Sequence, residues 1–120
     1  MIKRLAFLVF FLGGALHAKE EVTAMKDSIQ DKVVFQKDSK SVNVLFSEGF
    51  KAVGIGLLKG QMLEKHSTPT PAFLFIHEGK VEFRIGGKKI QLRSGDFVKI
   101  PKVEEHEVEA IEDARLILVK

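Results

Sequence analysis

GQMLEKHSTPTPAFLFIHEG, residues Gly60 to Gly79, is the stretch whose reading decides the fold, and GDFVKIPKVEEHEVEA, Gly95 to Ala110, is its counterpart. Each opens on a glycine and carries a histidine at its centre. Five residues lie between Gly60 and His66, and six between Ala72 and Gly79. In the second stretch Gly95 is followed after five residues by Pro101, and His106 comes five positions later. Around these motifs the apolar residues recur with a period of two, which is the mark of half-buried strands. Gln61–His66 reads as one strand, with Met62, Glu64, His66 and Thr68 on one face by simple alternation. Pro69 and Pro71 then enforce an extended loop, because proline donates no ladder hydrogen bond. Ala72–His77 is an apolar strand closed by a turn at Glu78-Gly79.

Working outward, Val81–Ile85 alternates cleanly and ends at Gly86-Gly87, a hairpin turn whose residues both accept positive φ. Ile90 and Leu92 alternate with Lys89, Gln91 and Arg93, and Phe97–Ile100 leads into Pro101. His106–Ile111 and Arg115–Val119 complete the C-terminal strands. Upstream, Val33–Gln36, Val42–Phe46 and Phe50–Leu58 read as three more strands, separated by turn residues. Gly54 and Gly56 inside the third predict a bulge or a close approach of another backbone. Nine or ten short strands and no long helical pattern predict an all-β sandwich or barrel.

The paired motifs resemble the two signature motifs of the cupin family, over roughly the C-terminal half of the chain. That family's first motif reads glycine, five residues, His-x-His, three or four residues, glutamate, six residues, glycine. Its second reads glycine, five residues, Pro-x-Gly, two residues, histidine, three residues, asparagine. Gly60, His66, Gly79, Gly95, Pro101 and His106 match in identity and spacing. Thr68 stands at the second histidine, Ala72 at the glutamate, Val103 at the glycine and Ala110 at the asparagine. The resemblance implies a double-stranded β-helix, the jelly-roll type of barrel, whose scaffold positions survive while two of four metal ligands are missing.

In that family the tetrad of three histidines and one glutamate holds a divalent ion, for which imidazole and carboxylate suit iron, manganese, nickel, copper or zinc. Carried onto this chain, His66 and His106 remain, Thr68 offers a neutral hydroxyl and Ala72 offers nothing. Glu64, on the face of His66 by parity, is the one candidate for a third ligand, since catalytic ions generally take three protein donors. The alternative is a pocket without metal, lined also by Glu64 and Thr68, in which Met62, Leu74 and Ile76 give apolar walls and His66 and His106 orient an anionic or polar ligand. The plainest alternative keeps the two histidines as buried polar groups that bond one another, Thr68 or water. Glu105 and Glu107 fall on the opposite side from His106 by alternation.

The rest of the chain narrows the class. Lys3 and Arg4, the apolar run Leu5–Leu12, the Gly13-Gly14 break and the small residue Ala18 form a cleavable export signal over residues 1–18. That run is too short to span a bilayer, which takes about 20 residues. Removal of residues 1–18 lowers the formal charge from +3 to +1, so the basic isoelectric point is no argument for nucleic acid. No cysteine is present, which excludes both a lipid-bearing cysteine and disulfide support. Residues 19–31 read as a flexible lead-in with one helical turn near Met25, or as an ordered arm that covers a sheet edge or a neighbouring subunit. Both faces of Ala72–His77 and of Leu116–Val119 are apolar, where a strand wetted on one side would alternate. That pattern predicts a covered outer face and a homodimer. The expected protein is thus a periplasmic or secreted small cupin that binds a small molecule without catalysis. A metal-dependent enzyme of the dioxygenase or isomerase type and a structural interaction module are the alternatives.

Overall fold

A computed structural model describes residues 25–120; the proposed export signal, and the start of the lead-in up to residue 24, lie outside the described residues. The described residues form one helical turn, α1 (Ile29–Lys32), and nine strands: β1 (Ser41–Glu48), β2 (Phe50–Leu57), β3 (Met62–His66), β4 (Ala72–Glu78), β5 (Lys80–Ile85), β6 (Lys88–Arg93), β7 (Phe97–Ile100), β8 (His106–Ala110) and β9 (Ala114–Val119). A five-stranded sheet runs β1-β2-β9-β4-β7, and a four-stranded sheet runs β3-β8-β5-β6. Every pairing is antiparallel. The strands cross repeatedly between sheets, so the two layers close into a jelly-roll barrel.

Alternation fills the space between the layers. Val53, Ile55, Leu57, Leu74, Ile76 and Leu116 face inward from the larger sheet, and Val81, Phe83, Leu92 and Val108 from the smaller. Glycines sit where the corners demand them. Gly60, Gly79 and Gly95 all have φ near +90°, in the left-handed region that an L side chain occupies only with strain. Gly79 is the tightest: a Cβ there would overlap the carbonyl oxygen of Asp113 and lie 2.6 Å from Ala114 Cα.

The N-terminal segment departs from the expected pattern. Val33–Gln36 is not a strand, and the helical turn forms at Ile29–Lys32 rather than near Met25. Ser28 caps it by accepting a hydrogen bond from the Asp31 amide at 3.1 Å, a bond that local sequence supplies. Val33 then lies fully buried on the outer face of the larger sheet, against Gly54. Gly54 and Gly56 therefore serve close approach rather than a bulge in β2; the bulge lies opposite, between Val44 and Phe46 of β1. Arg115 fastens the arm. Its Nε donates to Val33 O at 2.6 Å, its Nη1 to Glu78 at 2.7 Å, and its guanidinium stacks 4.2 Å above the Phe35 ring.

Candidate functional site

His66 ends β3 and His106 opens β8, and the two strands bring them face to face as a cross-strand pair. Their ring centroids are 4.4 Å apart with planes inclined at 57°. Phe83 backs the pair, its centroid 6.0 Å from that of His106. His106 is only 4 % exposed, whereas His66 is open to solvent. Each ring is tethered in the same way. Nδ1 of His66 lies 2.9 Å from the Glu64 carbonyl oxygen, and Nδ1 of His106 lies 2.9 Å from that of Glu104. A carbonyl only accepts, so each Nδ1 carries a proton. In the neutral rings each Nε2 is then an acceptor with a free lone pair. Neither Nε2 meets a protein donor among the described residues.

Simple alternation along β3 fails because the strand is bulged. Leu63 pairs with Val108, and His66 with His106, so three steps on β3 answer two on β8. The extra residue returns His66 to the side that Leu63 occupies and sends Met62 and Glu64 to the other. Met62 pairs with Glu109 on the outer face. Glu64 is exposed and ion-pairs with Lys40 at 3.1 Å. Its own backbone amide, and then Lys40, hold its carboxyl below the usual carboxylate range. The expected triad of Glu64, His66 and His106 is thus not assembled. Among the described residues no three His, Asp or Glu side chains converge on a point that could hold an ion.

The other expected pocket residues are dispersed as well. Leu74 and Ile76 face inward but are sealed in the core, 1 % and 0 % exposed. Thr68 donates its hydroxyl to the Thr70 carbonyl at 2.7 Å within the proline loop. Ala72, at the position of the family's glutamate, is buried at the head of β4. His77 lies on the outer face, its Nε2 3.2 Å from the Gln30 amide nitrogen of the arm.

Two open clefts flank the histidine pair. On the side of His106, about 500 Å3 of space is bounded by Lys65, the Gly86–Lys89 turn and Glu104–Glu107. On the side of His66, about 350 Å3 lies between β3 and the inner face of β1 and β2. Sequence reasoning missed both, because their walls come from strands far apart in the chain.

A family model described as a cupin domain matches residues 55–120. The chain belongs to the cupin family. The fold agrees with solved cupin-like structures. A conserved protein of unknown function from Streptococcus pyogenes superimposes with a TM-score of 0.73 at 23 % identity, over 81 % of this chain and 86 % of that one. A conserved Klebsiella pneumoniae protein with a double-stranded β-helix domain gives 0.73 at 17 % identity, over 81 % and 89 %. A cupin superfamily protein of Desulfitobacterium hafniense gives 0.67 at 12 % identity, over 71 % and 79 %. At these identities the likeness is one of fold. No curated protein matches the chain.

Within this cupin the motif positions divide by role. Gly60, Gly79 and Gly95 are retained where the backbone turns left-handed, and Pro101 follows the last residue of β7. Substitution falls on the ligand positions Thr68 and Ala72, and also on the backbone position Val103, which keeps a positive φ without being glycine. The two remaining imidazoles offer a poor match to a resident catalytic ion, since among the described residues no third His, Asp or Glu joins them.

Proposed function

We propose that this cupin is an exported, non-catalytic accessory protein that binds a small molecule at the open end of its barrel. The observation behind the reading is the histidine pair. Both rings are oriented by backbone carbonyls through Nδ1, which leaves two Nε2 acceptors beside open clefts. Such a pair receives a ligand with hydrogen-bond donors, and both rings are already oriented for it. The export signal over residues 1–18 supports a periplasmic or secreted location. Cleavage after Ala18 would be read from the mass of the processed chain.

A second reading is favoured by the same tautomers. Imidazoles held through Nδ1 by an outer partner are oriented as metal ligands, so a divalent ion with His66, His106 and water completing its shell is the enzyme alternative. One experiment separates the two. Protein expressed without a histidine tag is analysed for metal by elemental mass spectrometry and screened by ligand-observed NMR against polar fragments, beside His66→Ala/His106→Ala. The expected result is substoichiometric metal and fragment binding that disappears in the variant. Near-stoichiometric metal, lost in the variant, would overturn the non-catalytic reading. Fragment binding unchanged in the variant would remove the histidines from the site.

The assembly proposed with this function is a homodimer through the outer face of the five-stranded sheet. Phe46, Phe50, Phe73 and Phe97 lie on that face, each between 38 % and 54 % exposed, and an apolar patch of this kind marks a surface that is covered in use.

A further inference from the structure

The cleft on the His66 side has a chemistry of its own. Val42 and Val44 of β1 pair across the strands with Ile55 and Val53 of β2, two residues of the core. They therefore continue the inner, apolar face of the sheet. Yet they are 58 % and 52 % exposed, because the smaller sheet ends at β3 and, among the described residues, no strand lies over them. The result is a slot rather than a sealed core. Val53, Ile55 and Leu118 form its floor, and Leu63 with His66 forms its far wall. Its volume of about 350 Å3 falls within the range of small-molecule sites, roughly 300–1,000 Å3.

The rim is basic. Lys40, Lys65 and Lys120 border the slot, and Glu64 is the only acidic residue on it. Glu64 is already paired with Lys40 at 3.1 Å, so Lys65 and Lys120 are the cations left to face a ligand. An apolar trough with lysines at its edge complements a molecule with an apolar body and one anionic end. A neutral apolar ligand would leave the lysines unused, and a small inorganic anion would leave the valines wet.

From this arrangement we infer that the slot is a binding site for an amphiphilic organic carboxylate, its alkyl or aryl body on Val42, Val53 and Leu118 and its carboxylate at Lys65 and Lys120. The inference rests on the small-molecule reading above and gives that reading a ligand class. It assigns the body to the slot and leaves His66 at the contact between the slot and the histidine pair.

The test is an amide NMR titration of the expressed full-length protein, in its processed form, with octanoate below its micellar concentration. Octan-1-ol is the neutral control and acetate the control for charge alone. Expected are saturable shifts at Val42, Val53, Leu63 and Leu118, with octanoate binding at least about tenfold tighter than either control; a charge-assisted contact worth 1.4 kcal/mol gives that factor. Lys65→Ala/Lys120→Ala should bring octanoate down to the affinity of octanol. Val42→Glu, at an exposed position, should abolish binding of both without unfolding the chain. Equal affinities for octanoate and octanol would overturn the anionic ligand class. Shifts confined to the Gly86–Lys89 turn and His106, with the slot silent, would overturn the slot while sparing the small-molecule reading. Octanoate binding that survives His66→Ala/His106→Ala but not Val42→Glu would uphold the slot and remove the histidines from the proposed site.

Discussion

Val103 stands where the cupin motif has glycine, and it is the only described residue other than glycine with positive φ, at +57°. A β-branched side chain in the left-handed region is strained by about 1–2 kcal/mol. The turn persists because the Val103 amide donates to the Thr68 carbonyl at 2.8 Å, which ties the two motif loops together. The side chain itself is 70 % exposed and packs on little. Val103→Gly should therefore stabilise the protein by about 1 kcal/mol, the strain relieved less the added chain entropy of glycine, read as a higher urea midpoint. Gly79 predicts the opposite sign. Gly79→Ala would add both a left-handed alanine and an overlap with the Asp113–Ala114 backbone, neither of which a side chain can yield to. A loss of about 3 kcal/mol or more is expected in the same assay. Both motif positions were identified from sequence. Their backbone angles, and hence the signs, required the structure.

At the scale of elements, β3 shows how one residue redirects a site. Its bulge between Leu63 and His66 moved Glu64 away from His66, since a register shift of one exchanges the faces of a strand. No turn residue or glycine in Met62–His66 announces it. The arm is a second case. Val33 reads locally as a strand residue, but Gly54 and Gly56 leave a shallow groove on β2 that its side chain fills. Ser41 donates its hydroxyl to the Val34 carbonyl and holds the next residue down. Burial here outweighs β-propensity, which is a weak prior. Val33→Ala removes two buried methyl groups and should cost about 2 kcal/mol. Amide exchange should rise first in the arm and in β1. Exchange that rose uniformly through the barrel would mean that the arm and core unfold as one unit.

The whole molecule presents two unlike outer faces. On the four-stranded sheet, Arg84 is held by Glu82, Glu107 and Glu109 at 2.5, 2.6 and 3.1 Å, and these carboxylates raise its pKa further above the working range. That face is finished for water. On the five-stranded sheet, Phe73 and Phe97 stack with centroids 5.1 Å apart, and Phe46 and Phe50 at 4.9 Å; the described part of the arm covers the end near Arg115. Light scattering should give twice the chain mass, and Phe73→Asp/Phe97→Asp should give the chain mass with an unchanged β circular-dichroism spectrum. A wild-type monomer at high micromolar concentration would leave this face without the proposed function.

The amino-acid sequence by itself determined the all-β class, the family and the positions of the corner glycines. The class and the corners follow from period-two alternation and from residue types that only certain backbone angles accept, both local properties, whereas the family rests on the resemblance of the two motifs. It also located His66 and His106 as the surviving pair. Tertiary structure decided what surrounds them. A bulge without a local signature turned Glu64 outward. Pairing between distant strands sealed Leu74 and Ile76 in the core while leaving Val42 and Val44 uncovered. Side-chain faces depend on register, and register is set by partners that lie tens of residues away along the chain.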